Sequence, residues 1–206
     1  IFLPVSLVAL VLAACVPQAG VSTEPSVGNQ VASVVGATME AFPTQTPEPT
    51  AGTTCAEPIT GTQLLMNEEM GYCLLYPNGY NRLDPNPGEV CLVPEGPTMG
   101  CHNANAFISV EDAAGRTVGQ IADAIIADQQ AAIPGIEIQR TNLTVAGEES
   151  IILDGLSGVA STRQIFIIHA QRLYHLTFIP WDEGEEGFAP IETLYTTILD
   201  SFTFVP

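Results

Sequence analysis

No lysine occurs anywhere in the 206 residues, and five arginines set against 23 acids leave a formal net charge of −18. That deficit excludes several classes of function. A surface this acidic repels a phosphate backbone, so nucleic acid is not an expected partner. Anionic lipid headgroups recruit basic segments, and the chain has none to offer. A P-loop places a lysine on the phosphates, so that nucleotide site is impossible here. Other signatures are missing too. There is no Gly-x-Gly-x-x-Gly after a strand, no Gly-x-Ser-x-Gly elbow and no His-Glu-x-x-His. On these absences we expect neither an enzyme nor a cofactor. Long apolar runs are scarce as well. The run from Ile1 to Ala14 falls short of the roughly 20 residues a spanning helix needs, and Pro17 and Gly20 follow it closely. The acid excess itself serves solubility and discourages nonspecific contact; the sharper alternative is attraction of a cationic partner or metal.

The same apolar run fits the core of a signal peptide, about 7–15 residues long. It ends in Leu12-Ala13-Ala14-Cys15. Those four residues resemble the lipobox of bacterial lipoproteins. The resemblance implies cleavage before Cys15, acylation of its thiol and tethering on the extracytoplasmic side of a membrane. The plainer alternative is an ordinary secretory signal that happens to end in Ala-Ala-Cys. The initiator Met and the basic segment of such a signal are expected upstream of Ile1. Val16 stands where Asp marks inner-membrane retention in diderm bacteria, which favours the outer membrane; in a monoderm the protein would sit on the cell membrane. Several acyl chains, as lipoproteins of this family carry, anchor firmly where a single one is marginal.

Residues 1–14 are thus expected to be removed, and residues 15–54 to form the acylated start and a tether. Thr44-Gln45-Thr46-Pro47-Glu48-Pro49-Thr50 is rich in Pro and Thr and poor in groups that could build a core. Residues 55–206 are long enough for one domain. Its cysteines, Cys55, Cys73, Cys91 and Cys101, are an even set, which in an exported chain suggests two disulfides. Three connectivities are open. The turn chemistry of Pro94-Glu95-Gly96-Pro97 favours Cys91 with Cys101, which leaves Cys55 with Cys73. Zinc is disfavoured, because the spacings are far longer than a Cys-x2–4-Cys knuckle and His102 beside Cys101 does not mend that.

Hydrophobic patterning maps the domain. Short strands are expected at Tyr72–Tyr76, Tyr80–Leu83, Val90–Val93 and Ala104–Val110. Thr117 is a plausible N-cap for a helix whose apolar stripe is Val118, Ile121, Ala122, Ile125 and Ile126, stopped by Pro134-Gly135. Strands follow at Ile136–Val145, Ser150–Asp154, Arg163–Ala170 and Arg172–Trp181, with Ala170-Gln171 as a hairpin turn. The last two are apolar on both faces, so both faces must be covered. This predicts a central sheet with a layer on each side. A final helix over about Pro190–Leu199 carries Ile191, Leu194, Tyr195, Ile198 and Leu199 on one stripe, and Phe202 and Phe204 alternate after it.

Two of these segments carry a second resemblance. Tyr72-Cys73-Leu74-Leu75-Tyr76-Pro77-Asn78-Gly79-Tyr80 is similar to the aromatic-x-hydrophobic-x-Tyr-Pro-x-Gly-Trp opening of PsbP/Mog1-like domains, with Tyr80 in place of the usual Trp. Ile198-Leu199-Asp200-Ser201-Phe202-Thr203-Phe204 resembles their Ile-Leu-x-Ser-Phe-x-Phe close. The likeness spans about 72–204. It implies an α+β fold, an antiparallel β-sheet flanked by helices in an α/β/α sandwich, and roles in binding and assembly rather than catalysis. The expected partner is therefore another envelope protein.

Candidate sites are few. His169 and His175 lie near the facing ends of a hairpin and could approach across strands, joined by Asp154 or Glu192 to hold zinc or manganese; the bland reading is two unrelated hairpin histidines. Ser109, His169 and Asp154 make a hydrolytic set on paper only. Asp182, Glu183, Glu185 and Glu186, with two glycines between Trp181 and Phe188, could wrap calcium with oxygen ligands. That loop lacks the EF-hand alternation, and its plainer role is a solvated acidic lead into a helix N-terminus. Trp181 and Phe188 could form a small aromatic contact patch, though packing onto the sheet edge is the favoured reading. The sequon Asn142-Leu143-Thr144 carries little meaning in a bacterial chain.

Overall fold

The computed structural model describes residues 54–97, 100–158, 160–184 and 187–206. Expectations for Cys15, for the tether at 15–53, and for Glu185 and Glu186 lie outside the described residues. Ten strands and two α-helices occur among those described. They are β1 (Thr62–Asn67), β2 (Tyr72–Pro77), β3 (Tyr80–Leu83), β4 (Glu89–Pro94), β5 (Ala106–Asp112), α1 (Val118–Ala132), β6 (Gln139–Val145), β7 (Glu148–Leu156), β8 (Thr162–His169), β9 (Arg172–Phe178), α2 (Phe188–Ser201) and β10 (Thr203–Phe204). All pairings are antiparallel. Seven strands form one sheet in the order β3-β4-β5-β9-β8-β7-β6, and a smaller sheet runs β1-β2-β10. The fold is α+β, with antiparallel sheets and helices as expected.

Side-chain alternation places the layers, because successive residues of a strand face opposite sides. On one face of the large sheet Val90, Leu92, Ile108, Ile152, Ile165, Ile167, Tyr174, Leu176 and Phe178 are buried together with Ile191, Leu194 and Ile198 of α2 and with Leu65, Leu74 and Phe204 of the small sheet. On the other face Ile151, Leu153, Phe166 and Leu173 pack under Val118, Ile121 and Ala122 of α1. Ile165, Phe166 and Ile167 therefore serve two cores in turn. The doubly apolar strand is covered on both sides, by α1 on one and by α2 with the small sheet on the other.

Local chemistry explains the boundaries. Thr117 and Gln120 form a capping box: the Gln120 N–H donates to Thr117 Oγ1 at 3.2 Å and the Thr117 N–H donates to Gln120 Oε1 at 2.9 Å. Ala170 and Gln171 take φ of 48° and 66°, the left-handed pair of a two-residue hairpin turn. β6 begins at Gln139 rather than Ile136. The chain before it crosses over Gly155, where a Cβ would meet the Glu137 carbonyl at 2.7 Å, so backbone replaces ladder there. β9 ends at Phe178 rather than Trp181, since Pro180 has no N–H for the ladder. β1 has no counterpart in the sequence reading; Thr62–Asn67 shows no period-2 pattern and is an edge strand.

The opening and closing motifs meet in space. β10 pairs with β2 through Thr203↔Cys73 and Phe204↔Tyr72, and Tyr72 stacks on Phe202 at 5.6 Å. Ser201 Oγ accepts the Leu75 N–H at 2.8 Å and donates to the Thr197 carbonyl at 2.6 Å, pinning the end of α2 to β2. Cys55 bridges to Cys73 and Cys91 to Cys101, with Cα separations of 5.8 and 5.6 Å. Each bridge is worth about 2–4 kcal/mol through the unfolded state. Both suit an oxidising, extracytoplasmic compartment. Among the described residues no helix is long and apolar enough to cross a membrane.

Candidate functional site: a polar seam and hollow on the half-open sheet face

The face of the large sheet that carries α1 is apolar beneath that helix and apolar again around the Cys91–Cys101 bridge, with a polar stretch between the two. α1 covers β7 and β8. In the second apolar stretch Cys91, Val93 and Ala104 pack with Leu83, Cys101 and Phe107 beneath the disulfide. Between the two clusters the strands present Ser109, His175, Thr177 and Gln164, none of them in either core. Register aligns them. Glu89, Ser109 and His175 are opposite one another on β4, β5 and β9, and Cys91, Phe107, Thr177 and Gln164 form the next row across β4, β5, β9 and β8. Neighbouring strands are about 4.8 Å apart, so Glu89 and His175 stand about 10 Å from each other across Ser109.

Over this seam lies a hollow of about 480 Å³. Phe107 and the Cys91–Cys101 bridge line its apolar side, and Glu89, Ser109, His175 and Thr177 its polar side. Loop 84–88 forms the rim. Gly88 holds it close: φ is 80°, its carbonyl accepts from the Val110 N–H at 2.9 Å, and a Cβ there would sit 3.0 Å from the Val110 carbonyl oxygen. Asn86 Nδ2 donates to Glu89 Oε2 at 2.6 Å and orients the carboxylate.

His175 is fixed rather than free. Its ring stacks on Phe166 at 4.6 Å, and its Nε2 lies 2.8 Å from Gln164 Oε1 and 3.2 Å from Thr177 Oγ1. Burial pushes its pKa down to about 4, so the ring is neutral at pH 7. With Nε2–H donated to Gln164, the bare lone pair is on Nδ1. Such a ring is a weak general base, since a base works best with its pKa near the working pH. No hydrogen bond joins it to Ser109 among those of the described residues. The chemistry on offer is recognition by hydroxyls, one carboxylate, a neutral imidazole and an aromatic ring.

The sequence-derived candidates separate. His169 is on the opposite face of the sheet from His175, because register puts His175 opposite Phe166 and His169 opposite Arg172. It bonds Glu148 Oε1 through Nδ1 at 2.7 Å and stacks on Phe204 at 4.0 Å. The two histidines thus cannot share a metal; His175 is three residues beyond Arg172, the register partner of His169, and an odd step along a strand turns the side chain to the other face. Ser109, His169 and Asp154 fail to converge for the same reason. Among the described residues no three His, Cys, Asp or Glu side chains are grouped to hold a metal.

The acidic loop sits beside a different structure. Arg163 makes a two-point contact with Asp154, Nε to Oδ1 and Nη2 to Oδ2, both 2.7 Å. Its guanidinium lies 3.8 Å from the centroid of Trp181 and 4.8 Å from that of Tyr195. Partial burial acts to lower the Arg163 pKa, yet the Asp154 hydrogen bond and charge carry it above its ordinary value. Trp181 also meets Phe188 edge-on at 5.0 Å. This cluster locks the start of α2 to β8, so Trp181 and Phe188 pack on each other rather than presenting a free patch. Asp182 and Glu183 line an adjoining polar hollow with Glu137 and Asp154, and Asp182 Oδ1 accepts the Gly184 N–H at 2.9 Å, a local turn contact.

The seam was missed in the sequence, although a trace of it was there. In β9 the residues 174, 176 and 178 are Tyr, Leu and Phe, while 173, 175 and 177 are Leu, His and Thr. A mixed face beside a pure one marks where the covering layer stops.

The sequence matches no protein-family model and no curated protein. Among solved structures it is similar to cyanobacterial PsbP (CyanoP) from Synechocystis sp. PCC 6803, with 18% identity over 74% of this chain and 98% of that one and a TM-score of 0.48. It is also similar to PA94 of Pseudomonas aeruginosa, a protein of unknown function, with 17% identity over 58% of this chain and 83% of that one and a TM-score of 0.29. Neither likeness bears on function.

Proposed function

We propose that this protein is a lipoprotein held to the extracytoplasmic side of a membrane by lipid on Cys15, and that its 55–206 domain, of PsbP/Mog1-like type, acts as a non-catalytic binding or assembly accessory for another envelope protein. The observation that carries the reading is the half-open sheet face. The sheet is covered by α1 over β7 and β8, and next to that cover β4, β5 and β9 lie under a hollow with hydrogen-bonding groups and an aromatic wall, which is how recognition surfaces are furnished. The neutral, hydrogen-bonded His175 fits a binding surface better than a proton-transfer site. Lipid tethering and a Pro/Thr-rich spacer agree with a domain that must reach a partner near the membrane.

The test is capture from the envelope of the native host, solubilised in detergent, with the acylated protein as bait. A stoichiometric protein partner is the expected result. Membrane fractionation of wild type and Cys15→Ser follows in parallel, with the variant expected in the soluble fraction. Absence of any envelope partner defeats the accessory role, and an unchanged membrane fraction for Cys15→Ser defeats the anchor.

A further inference from the structure

All five arginines are engaged within the molecule. Arg82 pairs with Asp84 at 2.9 Å, Arg140 with Asp123 and Arg163 with Asp154. Arg172 donates to the Glu69 carbonyl at 3.0 Å and Arg116 to the Ala113 carbonyl at 3.3 Å. With no lysine in the chain and 23 acids, the protein has no cation of its own to bring to the hollow, and its surface field draws cations from elsewhere.

Resting on the protein-binding reading, we propose that the hollow over β4, β5 and β9 is a socket for an arginine side chain of the partner, with the guanidinium on Glu89 and its plane against Phe107. Glu89 is exposed at the rim, is held by Asn86 and has no arginine partner among the described residues. Phe107 is only partly buried, so part of its ring stays open to a guest. A guanidinium stacks on an aromatic face and forks onto a carboxylate at the same time, which a compact ammonium does less well. The hydroxyls of Ser109 and Thr177 line the same hollow. The imidazole of His175 also lines it and is neutral, so it brings no competing positive charge. Glu111, two residues beyond Ser109, lies on the same side of β5 and extends the negative field along the approach.

The test uses the whole acylated chain, ¹⁵N-labelled in detergent micelles, titrated with N-acetyl-arginine amide. The neutral isostere N-acetyl-citrulline amide is the control. Amide shifts are expected to cluster at Glu89, Phe107, Ser109 and His175 with arginine and to be much smaller with citrulline. Glu89→Gln keeps a rim side chain of the same size and should weaken arginine about tenfold, as loss of a charge-assisted contact does. Phe107→Leu keeps the apolar wall and should erase the preference for arginine over lysine amide. Equal shifts from citrulline overturn the proposal. So do no shifts at all, or arginine shifts centred on residues 182–184 or spread over the acidic surface. An envelope partner that binds Glu89→Gln as tightly as wild type also overturns the socket, while the accessory role stands. Arginine binding without any envelope partner has the opposite meaning.

Discussion

His175 is held by Phe166, Gln164 and Thr177 and partly buried as a neutral ring, and that has a measurable consequence. Its pKa is about 4 in the folded chain and near 6.5 when unfolded. Between those values the unfolded state binds a proton that the native state refuses. Stability from this residue is therefore complete above about pH 6.5 and falls as pH drops towards 4, by no more than about 3 kcal/mol. Urea unfolding of wild type and His175→Gln across that window should show a shallower fall with acid for the variant. Parallel curves would mean that the ring is solvated or protonated in the native state. Tyr72 is a second residue under burial stress. Its ring is fully buried, its hydroxyl meets no well-formed hydrogen-bond partner among the described residues, and burial pushes its pKa up to about 12 against a lowering influence from nearby Asn67. The stacking on Phe202 and the edge contact with Tyr174 at 6.0 Å hold it there in spite of the hydroxyl.

At the scale of elements, α1 decides how much of the sheet stays open, so its beginning matters. The capping box satisfies the first N–H groups of the helix and fixes where it leaves the β5 loop. Thr117→Ala is expected to cost about 1 kcal/mol, read as a lower urea midpoint at unchanged slope. A changed slope, or no loss, would show that packing of Val118 and Ile121 holds the start without the cap. Much of the element map was legible in the sequence. The stripes of Ile121 and Ala122 and of Leu194 and Ile198 fall at helical spacing, and the run Ile165-Phe166-Ile167 announces a strand with two faces to bury. β1 was not legible, because Thr62–Asn67 is ordered by its pairing with β2 rather than by its own pattern. The premature starts and ends at Ile136 and Trp181 were matters of where the neighbouring strand runs out.

For the molecule as a whole, charge is the governing quantity. With a net charge of −18, the compact state concentrates like charges that the unfolded chain spreads apart. Salt shortens the Debye length from roughly 30 Å at 0.01 M to about 3 Å at 1 M. The melting temperature should accordingly rise as sodium chloride is added. A flat or falling melting temperature would mean that the acids are already balanced within the fold. The two disulfides act on the same scale, limiting the unfolded ensemble of a domain whose larger sheet spans seven strands.

The amino-acid sequence by itself determined the charge, the helical stripes and the strands with two apolar faces, because each of these is a property of residue type and spacing. It also held the traces at Leu12–Cys15 and at the two motifs that now meet as β2 and β10. Only the tertiary structure decided which histidine faces which side, where α1 stops covering the sheet, and that Glu89, Ser109 and His175 stand in one row. Those facts depend on the register of strands far apart in the chain, and a shift of one residue in that register would turn every side chain of a strand to the other face.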